Sequence, residues 1–84
     1  MAKKTYTATL LIWGRKFDST GASVSEAISG LRPGNVKGKS VLTVSVGNQK
    51  RERVLSPFMT SRLFNTRGIS QEVALKNTTI LFDL

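Results

Sequence analysis

The sequence predicts an α+β fold: a small antiparallel sheet of about five strands with one or two short helices on one face, in the order β-β-α-β-β-(α)-β. Three observations carry that expectation. Residues 5–13 place Tyr6, Ala8, Leu10 and Ile12 on one side of an extended chain, with three threonines, Leu11 and Trp13 on the other. Glycines suited to hairpin turns recur at Gly14 and Gly47, each followed by a serine with helix-start chemistry, Ser23 and Ser56. The stretch Thr78–Phe82 is rich in β-branched and aromatic side chains. A chain of 84 residues supports one hydrophobic core. A single domain is therefore expected over residues 5–84, behind a flexible basic N-terminus at residues 1–4.

The first strand ends at Trp13. Gly14-Arg15 then suits a two-residue type II′ turn, because glycine adopts positive φ without strain. That turn pairs Ile12 with Phe17 and brings Phe17 to the apolar face. Ser23-Val-Ser-Glu26 is a capping box, and Val24, Ala27, Ile28 and Leu31 follow at helical spacing. Arg32-Pro-Gly-Asn35 ends this helix, and residues 35–39 read as a flexible basic connector.

Ser40–Val46 forms the third strand, and the stretch that follows, as far as Leu55, turns back as the fourth. Two registers compete. A three-residue loop, Gly47–Gln49, sets Leu42 opposite Val54 and gathers Arg51 and Arg53 on a polar face with Thr43 and Ser45. A two-residue loop at Gly47-Asn48 sets Arg53 and Arg51 opposite Leu42 and Val44. The first is expected, because it keeps arginine off the apolar face. Ser56-Pro57 starts a second helix lined by Met59, Leu63 and Phe64. Residues 69–84 read as irregular chain leading to a last core strand; the alternative is an exposed apolar tail that docks on a partner. The turn glycines and the helix-start serines both repeat at a spacing of 33 residues, which suggests two successive β-β-α units.

Composition narrows function by exclusion. The chain has neither Cys nor His, so thiol nucleophiles, imidazole bases and the commonest metal ligands are absent. Its five carboxylates are scattered, with no spacing that forces two onto one surface. A non-enzymatic protein without cofactor, metal or catalytic residues is expected. Gly38-Lys-Ser40 resembles the end of a phosphate loop. However, the first glycine of that motif is replaced by Pro33, and a strand follows where a helix is required. No apolar run is long enough for a spanning helix, so no membrane association is expected. A cytoplasmic location fits, which for a virus-encoded chain means host cytoplasm or virion.

The net charge of +8 points to a polyanionic partner. Trp13, Arg15 and Lys16 cluster at the first turn, Lys37 and Lys39 precede the third strand, and Lys50, Arg51 and Arg53 lie on the fourth. These eight residues are the expected contact set for DNA or RNA, with cations on phosphates and the indole stacking on a base. The competing expectation is a phage- or virus-type structural or interaction protein that meets an acidic protein partner or self-assembles as a homo-oligomer.

Overall fold

The computed structural model describes residues 4–34, 36–82 and 84. The first three residues of the expected basic N-terminus lie outside the described residues. Seven elements follow one another: β1 (Tyr6–Ile12), β2 (Arg15–Gly21), α1 (Val24–Ser29), β3 (Ser40–Val46), β4 (Gln49–Leu55), α2 (Pro57–Phe64) and α3 (Ile69–Ile80). The sheet is antiparallel with four strands in the order β2-β1-β3-β4. Sequence reasoning expects a fifth strand at Thr78–Phe82, but α3 occupies most of that stretch. Three helices, rather than one or two, cover one face of the sheet.

Strand alternation decides which face is covered. Ala8, Leu10 and Ile12 of β1 and Leu42 and Val44 of β3 are almost fully buried, with Leu55 of β4. They meet Val24, Ala27 and Ile28 of α1, Leu63 of α2 and Ala74 of α3 in one core. Each buried Val, Leu or Ile among them contributes about 1.5–3 kcal/mol by leaving water. α1 packs on β1 and β2, α2 meets β4, and α3 lies against α1 and α2. Among the described residues no helix covers the opposite face of the sheet.

Local capping follows the sequence closely. Ser23 Oγ accepts from Glu26 N at 3.1 Å, and the Glu26 carboxylate accepts from Ala22 N at 2.7 Å, one residue earlier than a standard capping box. Ser56 Oγ accepts from Met59 N at 3.2 Å, with Pro57 at the first helical position. Thr60 is fully buried, and its hydroxyl donates to Ser56 O at 2.9 Å. Its one proton is thus committed, so the buried Ser40 hydroxyl is the donor in the 2.9 Å contact with Thr60 Oγ1. That bond ties α2 to the start of β3.

Both hairpin registers differ from expectation. In the first, Ile12 pairs with Arg15 and Leu10 with Phe17, so the turn residues are Trp13 and Gly14 rather than Gly14 and Arg15. The shift is two residues, an even number, so every side chain keeps its face and Phe17 still packs against the core. In the second, Leu42 faces Arg53 and Val44 faces Arg51, with a two-residue turn at Gly47-Asn48. Here the slip is one residue and the faces exchange. Leu55 goes fully into the core and Val54 is left 64% exposed. Burying the larger leucine favours this register.

Because β4 is an edge strand, its arginines reach round the rim. Arg53 Nε donates to Leu81 O at 3.1 Å, which caps the end of α3. The two successive β-β-α units are present, β1-β2-α1 and β3-β4-α2, and their helix caps, Ser23 and Ser56, keep the 33-residue spacing. The two hairpin turns align at a spacing of 34, and a spacing of 33 superposes buried Leu10 on Thr43 of the uncovered face.

Val36, in the connector before β3, is fastened to the end of α2. Val36 is 2% exposed, and Asn65, just beyond α2, clamps its backbone from both sides. Val36 N donates to Asn65 Oδ1 at 2.9 Å, and Asn65 Nδ2 donates to Val36 O at 2.6 Å. Asn65→Ala removes both partners and leaves two backbone groups unsatisfied. A loss of about 2 kcal/mol in unfolding free energy is expected, measured by urea denaturation. A conservative surface change such as Lys50→Ala leaves the midpoint in place.

Candidate nucleic-acid interface

The Trp13-Gly14 turn has positive φ at both central residues, 53° and 74°, the pattern of a type I′ hairpin turn. This turn matches the twist of the flanking strands, but its first position suits Asn, Asp or Gly. Among the described residues Trp13 is the one non-glycine with positive φ. A left-handed conformation costs a bulky L-residue about 1–2 kcal/mol. The side chain stays largely in solvent, with Trp13 62% exposed.

The β1/β3 ladder runs to Leu11 opposite Val41, and two further steps along it bring Trp13 beside Lys39. The indole lies close over the connector: a methyl group at Gly38 would stand 3.4 Å from Trp13 Nε1. Lys37 and Lys39 flank that glycine, and both are exposed. Arg15 and Lys16 leave the same turn on β2, both exposed: Lys16, opposite Leu11, lies on the uncovered face, and Arg15, opposite Ile12, lies at the sheet's end on the helix side. Five of the eight expected contact residues therefore converge at one end of the sheet.

Lys50, Arg51 and Arg53 do not join them. β1 and β3 are antiparallel, so their hairpin tips point to opposite ends of the sheet, about 20 Å apart for seven-residue strands. β4 is also the edge opposite β2. Lys50 sits near the far tip on the uncovered face. Arg51 and Arg53 lie on the helix-side face, opposite Val44 and Leu42. The guanidinium groups of both arginines bond to backbone carbonyls, Arg51 to Lys50 O at 3.0 Å and Arg53 to Glu52 O and Leu81 O. The expected two-arginine face with Thr43 and Ser45 does not form.

Sequence reasoning missed the row beneath the Trp13 tip. The registers align Lys16, Leu11, Val41 and Val54 across the uncovered face. Leu11 is 46% exposed, so this row is an apolar strip open to solvent. Period-2 alternation already sets Leu11 with Trp13; Val54 was hidden by the β3/β4 register. The next row holds Asp18, Thr9, Thr43 and Glu52, with Thr9 Oγ1 donating to Asp18 Oδ1 at 2.9 Å. These two carboxylates put negative charge at the middle of the face. The cationic end and the apolar row lie next to each other at the Trp13 end of the sheet.

Among the described residues no three His, Cys, Asp or Glu side chains converge as metal ligands. No helix of the described residues is long and apolar enough to cross a membrane. Comparison with protein-family models, curated proteins and solved structures finds no match.

The strain at position 13 gives a direct test. Asn-Gly is the preferred type I′ dipeptide, so Trp13→Asn relieves the left-handed conformation. Unfolding free energy is expected to rise by about 1 kcal/mol, read by thermal or urea denaturation. A destabilised variant would mean that the indole's contact with Gly38 outweighs the backbone strain.

Proposed function

We propose that this protein binds nucleic acid without strong base specificity, through the end of its sheet that carries Trp13. The observation that carries the reading is an exposed indole held at a strained turn, beside Gly38 and among Arg15, Lys16, Lys37 and Lys39. Backbone strain persists where the surroundings impose it, and it concentrates at functional positions. A face-exposed Trp stacks an unpaired base for about 1–3 kcal/mol irrespective of base identity. The four cations displace counterions from adjacent phosphates. The apolar row of Leu11, Val41 and Val54 offers a second surface to a splayed base. Stacking needs a base free of its partner, so single strands fit better than duplex.

Trp13 is the single tryptophan in the chain, so its fluorescence reports directly on this site. Titration with single-stranded DNA or RNA is expected to quench it. With four phosphates engaged, the slope of log K against log salt is about −3. Anisotropy of a labelled oligonucleotide covers variants that lack the fluorophore. Trp13→Asn lowers affinity about tenfold, equivalent to about 1.4 kcal/mol, while the fold is retained. Lys37→Ala with Lys39→Ala makes the salt slope shallower by about 1.4. Absence of binding at low salt, or a slope unchanged by the double lysine variant, would overturn the proposal.

A further inference from the structure

α3 carries two apolar stripes, and the core uses one of them. Ala74 and Thr78 are buried and Leu75 packs beside them. Ile69, Val73 and Ile80 lie on the outward side at 79%, 46% and 70% exposure. Next to them, Phe58 of α2 is 67% exposed beneath the Arg62 guanidinium, 5.4 Å from its ring centroid. A groove of about 190 Å³ runs between the two helices, bounded by Phe58, Met59, Val73 and Asn77. Singly exposed apolar residues are ordinary, whereas several on one helical surface mark an interface.

We propose that this surface is a homodimer interface in which α3 packs antiparallel against α3 of a second copy. The occupant is argued from the stripe's own symmetry. Its outward positions, Ile69, Val73, Lys76 and Ile80, are spaced four, three and four residues apart, a pattern that reads the same in both directions. A two-fold axis passing between Ala74 and Leu75 sets Ile69 against Ile80 of the second copy. Val73 then meets the alkyl stem of Lys76 from the second copy, whose ammonium group extends towards Glu72. The axis makes this ion pair twice, as an isologous interface requires. Spacing of three and four on facing helices suits the shallow crossing of about 20°.

Charge separates this occupant from an acidic partner segment. Such a segment would satisfy Arg62 and Lys76 but face Glu72 with like charge. A second copy satisfies Glu72 and Lys76 together. The interface lies on the helical layer, opposite the uncovered sheet face, so both Trp13 tips remain free in the dimer. The inference stands independently of nucleic-acid binding.

Sedimentation equilibrium from about 1 μM to about 1 mM, the affinity range of small interfaces, tests it. A monomer–dimer equilibrium is expected. Ile69→Glu and Ile80→Glu, both at exposed positions, each weaken dimerisation at least tenfold. Glu72→Lys alone and Lys76→Glu alone weaken it as well, and the double reversal restores it towards the parent value. Circular dichroism melts of these variants separate the intermolecular effect from the helical Glu72–Lys76 pair within one chain. A chain that stays monomeric throughout overturns the proposal. So does a dimer insensitive to Ile69→Glu and Ile80→Glu, or a double reversal that recovers nothing.

Discussion

The alternation of β1 is the constraint on which the rest of the structure depends. Tyr6–Ile12 pairs with β2 on one side and β3 on the other, so both ladders fix its register. Its even-numbered residues from Ala8 to Ile12 are buried under the helices, and its odd-numbered residues face the uncovered side. A slip by one residue would expose Ala8, Leu10 and Ile12 at once. Every neighbouring element takes its position from that division. α1 covers Ala8 and Leu10, β3 adds Leu42 and Val44 to the same floor, and α3 closes the layer above. Trp13 projects from the end of the strand on the side the core does not use.

Much of this was legible in the residues, and the rest was not for definable reasons. Strand alternation in β1 and the serine caps of α1 and α2 are local signals, so they survive any tertiary context. The turn of the first hairpin was misread because glycine at the first central position looks better than tryptophan there. The twist of the two strands favours a turn left-handed at both positions, and the surroundings hold Trp13 in it. Strand β4 was misread by one residue because arginine opposite leucine looks unfavourable. On an edge strand, long side chains escape round the rim, and the burial of Leu55 decides the register.

The C-terminal segment shows tertiary context overriding propensity. Thr78, Thr79 and Ile80 favour strands, yet Ala74 and Leu75 must cover α1 and α2, and only a helix brings both to that side. Thr78 fits the buried stripe, and Thr79 Oγ1 donates back to Leu75 O at 2.7 Å, which satisfies its hydroxyl within the helix. The candidate site was half legible. Proximity to a hairpin tip identified the cations but carried no information about which end of the sheet each tip occupies. That depends on β1 and β3 pairing antiparallel, which divides one basic constellation into an end near Trp13 and a rim along β4.

The rim has its own consequence. A four-stranded open sheet has two edges whose unpaired backbone groups can recruit strands from other molecules, the route to aggregation. On β4 the sequence Lys50-Arg51-Glu52-Arg53 lines one of those edges, with arginine side chains folded onto their own strand's carbonyls. A second chain arriving there meets concentrated positive charge and acceptors already occupied. The most conspicuous charge run in the sequence thus lies along the edge of the sheet that most needs guarding.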